Sequence, residues 1–137
     1  MPDQLNTPEL ELLDKGNLYD LADGLLSCEG PAIEKCIEFV LAETKGVWHG
    51  RARAMMCRRL KHCQIAPKLC QKLVACITDR LTTGDFSEQF RDQLRLAMQL
   101  DPRRTFTAAE KCLGSAQRAH IRRLATWVLA HNKGKCE

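Results

Sequence analysis

Apolar residues in this chain return every three or four positions almost from end to end, and alternating period-two runs are almost absent. A chain patterned this way builds amphipathic helices, because each stripe must be buried against another stripe. The pattern predicts an all-α protein of seven to eight short helices. The opening segment, roughly 8–15, reads as a short helix with Pro8 at its first position. A second helix runs over about 17–27, with Asn17 as its N-cap and Leu18, Leu21, Ala22, Leu25 and Leu26 on one stripe. Gly30-Pro31 breaks the chain and restarts it, and a third helix over 31–44 carries Ile33, Cys36, Ile37, Val40 and Leu41. Gly46 is its expected stop.

A fourth helix over 47–62 shares Ala52, Met56, Leu60 and Cys63 on one face at 100° per residue, with Arg51, Arg58, Lys61 and His62 on another. A fifth over 66–82 carries Leu69, Cys70, Leu73, Val74, Ile77 and Leu81. A sixth over 87–100, capped by Ser87, is built on Phe90, Leu94, Ala97 and Met98, and Asp101-Pro102 stops it. Thr107 with Glu110 reads as a capping box opening a seventh helix with Ala109, Cys112, Leu113 and Ala116. The eighth, 117–132, aligns Ile121, Leu124, Ala125 and Val128. The expected organisation is an N-terminal segment over 1–16, a single helical domain over 17–132 and a frayed tail over 133–137.

Short connections make sequential helices pack antiparallel, and the helix pairs begin roughly 30 to 40 residues apart. In helix number and pair spacing the chain resembles HEAT or armadillo-type helical hairpins, which implies a right-handed superhelical stack serving as a binding scaffold. The run Leu96–Pro102 is similar to the end of a tetratricopeptide repeat. Leu113-Gly114, however, falls later than that family's Leu-Gly pair.

Charge is distributed unevenly. Residues 1–44 hold ten acids against two bases, a net of −8, whereas residues 45–137 carry a net of +12. No acid occurs between Glu43 and Asp79, a stretch with eight bases. This dipole suits an anionic partner, an internal match between the two parts, or head-to-tail association. The candidate contact residues are Arg51, Arg58, Arg59, Lys61, Lys68 and Lys72 on the fourth and fifth helices, with Arg103, Arg104, Arg118 and Arg122 beyond them. Arginine predominates, which suits bidentate contact with carboxylate or phosphate.

The leading expectation is a non-catalytic adaptor or scaffold module presenting this basic surface to an acidic protein partner. The alternative is nucleic-acid binding, RNA before DNA, through the same residues. Aromatics amount to only 5%, which leaves few platforms for stacking bases. The third reading is a cysteine-based redox protein or small enzyme built on Cys57, with Arg53, Arg58 and Arg59 near it in sequence. Eight cysteines are present without a CxxC pair, and the spacing of Cys57, His62, Cys63, Cys70 and Cys76 does not suit a zinc tetrahedron, so buried reduced thiols are expected and no metal. There is no P-loop, GxGxxG, GxSxG or HExxH signature. No catalytic residue, cofactor or small-molecule substrate is predicted. An acidic N-terminus and the lack of a long apolar run argue against a signal peptide, a membrane span or any membrane partner, so a cytoplasmic or nuclear protein is expected.

Overall fold

The computed structural model describes residues 7–42, 44–86, 89–115 and 118–134. Eight α-helices and one 3-10 turn are found among them, and no strand. The helices are α1 (Thr7–Glu11), α2 (Lys15–Asp23), α3 (Gly30–Leu41), α4 (His49–Leu60), α5 (Pro67–Thr83), α6 (Arg91–Leu100), α7 (Pro102–Gly114) and α8 (Ala119–Gly134). The chain divides into two compact units, 1–73 and 74–137, with the division falling inside α5.

In the first unit α2 packs on both α3 and α4, and α3 packs on α4. Leu18, Ala22, Ile37, Phe39, Val40, Met56 and Leu60 fill the space between them, each 1% exposed or less. The cap of α2 differs from expectation. Asp14 is the N-cap and accepts the Asn17 amide at 2.8 Å, while the Asn17 side chain accepts the Asp14 amide at 3.1 Å. A carboxylate three residues ahead of an Asn completes a reciprocal box, which a cap at Asn17 would forfeit. The helix also ends sooner. It tightens into a 3-10 turn over Gly24–Ser27, and Leu26 comes out 68% exposed. Three residues per turn rotate Leu26 off the stripe that keeps Leu25 buried. α3 ends at Leu41, before the expected stop at Gly46, and α4 starts at His49.

In the second unit α6 packs on α7 and α7 on α8. The core is Ile77, Leu81, Phe90, Leu94, Ala97, Met98, Ala109, Cys112, Ile121, Ala125 and Val128, much as periodicity placed it. Ser87 and Ala116 lie outside the described residues, and α6 begins only at Arg91. The expected capping box at Thr107 and Glu110 is overturned. Asp101 ends α6 and at once caps α7, its carboxylate accepting the Arg104 amide at 3.1 Å, and Pro102 takes the first helical position. A proline there gives up an amide that has no helical partner anyway, so the chain re-enters a helix immediately. Thr107 is therefore an exposed residue in mid-helix. The turn after α5 requires Gly84, whose φ is +81°. A Cβ there would sit 2.8 Å from the Arg118 guanidinium and 2.9 Å from Ile121.

Candidate interaction surface

The surface with the most distinctive geometry lies where the turn between α1 and α2 meets the loop before α4. Its foundation is a buried polar chain. The Nε2 of His49 lies 2.9 Å from the Leu13 carbonyl, which can only accept, so that nitrogen carries the proton. Nδ1 then accepts from the Thr44 hydroxyl at 2.7 Å. The same hydroxyl accepts from the Arg53 guanidinium, which also donates to the Thr44 carbonyl at 2.8 Å. Thr44, His49 and Arg53 are all at least 91% buried, and both His49 and Arg53 lie against the Phe39 ring, at 5.0 and 5.2 Å. The Lys45 amide donates to the Glu11 carboxylate at 2.7 Å, a second tie between the two segments. Gly46 is obligatory in this arrangement, since a Cβ would meet the His49 ring at 2.6–2.9 Å.

This scaffold holds Trp48 in an unfavourable conformation. Its φ of +72° and ψ of −8° are left-handed, although it is the bulky residue capping α4. Such a conformation costs about 1–2 kcal/mol for a residue with a Cβ and persists only where the surroundings impose it. The half-buried indole carries two cations, the Lys15 ammonium at 4.3 Å and the Arg51 guanidinium at 5.1 Å. Both are exposed, as is Lys45. Two aliphatic side chains in the same two segments are exposed, Val47 at 80% next to Trp48 in sequence and Leu12 at 82% next to Leu13.

The remaining predicted contact residues fall in both units. Arg58 is exposed on the same face of α4 as Arg51, about two turns or 10 Å along the axis. Arg59 is partly withdrawn, its guanidinium 3.1 Å from the Asp23 carboxylate. Lys61 is half-buried at the α4 C-cap, past the helical face that sequence spacing assigned to it along with His62. Lys68 and Lys72 are exposed on α5. In the second unit Arg103 and Arg104 are exposed in the first turn of α7. Arg104 and Lys111 border a shallow depression of about 320 Å³ together with Thr78, Asp79 and Thr107. Arg118 and Arg122 each hold a helix end, donating to the carbonyls of Thr83 at 2.8 Å and Leu113 at 3.1 Å. Trp127 repeats the pattern seen at Trp48, with Arg91 at 5.3 Å and Arg95 at 5.1 Å from its ring.

The thiols divide by burial. Cys57 is fully buried and unsuited to the reactive role assigned to it from sequence. Burial also pushes the Cys36 thiol up to about 12, the neighbouring Cys63 adding to the effect and Arg59 opposing it, and raises Cys70 and Cys112. Cys136 lies outside the described residues. Among the described residues no group of three or more His, Cys, Asp or Glu side chains is placed to hold a metal ion, and no helix is long and apolar enough to cross a membrane.

Sequence reasoning missed the pairing of Trp48 with Lys15. These residues are 33 positions apart, and no periodicity links them. The one available signal was a Trp in an apolar-poor loop immediately after Gly46-Val47. No protein-family model, curated protein or solved structure matches the chain.

Proposed function

We propose that this chain is a non-catalytic protein-interaction module that docks an acidic partner segment onto the Trp48 surface. The observation that carries this reading is Trp48 itself, a bulky residue held in left-handed backbone with two cations on its ring and an exposed Val47 beside it. Trp and Arg are the residues most enriched among interface hot spots, and exposed aliphatics next to them supply area that water leaves on binding. Lys15, Lys45, Arg51 and Arg58 set the sign of the partner: carboxylates around an apolar anchor. The Asp23 hold on Arg59 and the Glu11 bond to the Lys45 backbone fit the idea that the acidic N-terminal third matches part of the basic surface internally. Antiparallel helical hairpins in a HEAT-like stack, in a cytoplasmic or nuclear setting, are the scaffold this reading assumes.

RNA binding is the second reading, favoured by exposed Arg103 and Arg104 and by the Arg91–Trp127–Arg95 arrangement. It is the weaker one, because Arg118 and Arg122 already serve backbone carbonyls. The test is affinity capture with the whole chain, run with wild type, Trp48→Ala and Arg104→Glu, alongside anisotropy with labelled single-stranded RNA at about 50 and 200 mM salt. The protein reading expects a stoichiometric protein lost with Trp48→Ala and kept with Arg104→Glu. Submicromolar RNA binding that collapses with salt and with Arg104→Glu would replace it.

A further inference from the structure

Two cysteines that are 35 positions apart in sequence meet in the first unit. Cys28 follows the 3-10 turn, in left-handed backbone with φ +51°, and is exposed. Cys63 sits half-buried in the turn after α4. Each thiol reaches across to the other's segment. Cys28 Sγ donates to the carbonyl of His62 at 3.6 Å, the residue next to Cys63. Cys63 Sγ donates to the Leu25 carbonyl at 3.6 Å, the same oxygen that accepts the Cys28 amide at 3.0 Å. The two thiols are neighbours, Cys28 acting on the Cys63 thiol through hydrogen bonding and charge. Both backbones are outside the α-helices, so the sulfurs can close to bonding distance, about 2.05 Å, without unwinding a helix.

We propose that Cys28 and Cys63 are a reversible disulfide site, closed by a hydroperoxide and reopened by a small thiol such as glutathione. The order of events follows from access. Cys28 is the exposed thiol and meets the peroxide first. Its thiolate attacks one peroxide oxygen, the O–O bond breaks, and Cys28 becomes a sulfenic acid as hydroxide departs and takes a proton to become water. Cys63 sulfur then attacks the sulfenic sulfur, the S–O bond breaks, and the Cys63 proton leaves with the hydroxyl as a second water. Two thiols and one hydrogen peroxide thus give one disulfide and two waters. Two glutathione thiols return both cysteines and leave as glutathione disulfide. Burial, with the hydrogen bond and charge of Cys28 added, holds the Cys63 thiol up at about 11. Little of it is thiolate at neutral pH, and its closeness to the Cys28 sulfur offsets that in the second step. Cys36 is near enough to Cys63 to feel its charge, yet it is fully buried and bonded to the Leu21 carbonyl, so peroxide does not reach it. The bond would fasten the turn before α3 to the turn after α4, beside the Arg59–Asp23 contact.

Trypsin separates the participants cleanly. Residues 16–35 contain Cys28 as their single cysteine, residues 62–68 contain Cys63 alone, and Cys36 begins the next peptide. The reduced full chain is treated with one equivalent of hydrogen peroxide, blocked with iodoacetamide under denaturing conditions and digested, taking the monomer band from a non-reducing gel. The expected result is a 16–35/62–68 cross-link as the main product, reversed by dithiothreitol. In Cys28→Ser the cross-link vanishes and Cys63 is recovered alkylated, while Cys36→Ser retains it. Full alkylation of both peptides after oxidation would overturn the proposal. So would a main cross-link through Cys36, or linkage found only between chains.

Discussion

At the scale of single residues, the molecule concentrates its constraints in the stretch Thr44–Arg53. Gly46 is there because the His49 ring occupies the space a Cβ would need. Gly46→Ala must push His49 away from Leu13 and Thr44, so it is expected to lower stability by about 1–3 kcal/mol in urea unfolding. Trp48→Asn acts differently. Asn tolerates left-handed backbone, so the relief of strain offsets lost contacts and stability changes by less than about 1 kcal/mol, while partner capture falls at least tenfold. The buried thiols give a pH prediction with a definite sign. Cys36 and Cys63 ionise in the folded state near 12 and 11 against an ordinary 9.0. Between 9.0 and those values the unfolded chain has released protons that the folded chain retains, so stability is whole below 9.0 and declines above it. Fully buried Cys36 contributes a slope approaching about 1.4 kcal/mol per pH unit. Cys36→Ala should flatten the alkaline limb of a denaturation series.

At the scale of elements, periodicity placed the cores well and the boundaries less so. Leu73, Val74, Ile77 and Leu81 on α5 and Phe90, Leu94, Ala97 and Met98 around α6 are buried where the 3.6-residue pattern put them. Each of those stripes reports the burial of its own helix, which sequence spacing records directly. Ends are decided by competition between caps, and there nearby residues offer rival solutions. Asp14 outcompetes Asn17, and Asp101-Pro102 outcompetes Thr107-Glu110. A pair of substitutions separates the two caps proposed for α7. Asp101→Ala is expected to cost about 1 kcal/mol. Thr107→Ala should stay within about 0.5 kcal/mol, as for an exposed mid-helix position. The candidate surface was legible only in part for the same reason that caps mislead. The cations were visible in composition, but Arg53 turned inward to Thr44, and Lys15 came to Trp48 across a distance that only folding closes.

At the scale of the whole molecule, part of the charge dipole of the sequence is met by local contacts within each unit. Within the first unit the acidic third supplies Asp23 to Arg59 and Glu11 to the Lys45 backbone, while Lys15 stays with Trp48. Within the second, Arg118 and Arg122 close helix ends. The surface proposed for a partner is Trp48 with Lys15 and Arg51 on its ring and the exposed Val47 next to it in sequence. The most direct measurement is photo-crosslinking in cells from benzoylphenylalanine placed at Val47, with Thr126, an exposed position of the second unit, as control. The expected result is a discrete protein adduct from position 47, resistant to nuclease, absent from position 126 and lost when Trp48 is also replaced by Ala. An adduct removed by ribonuclease, or the same protein adduct from both positions with or without Trp48, would contradict it.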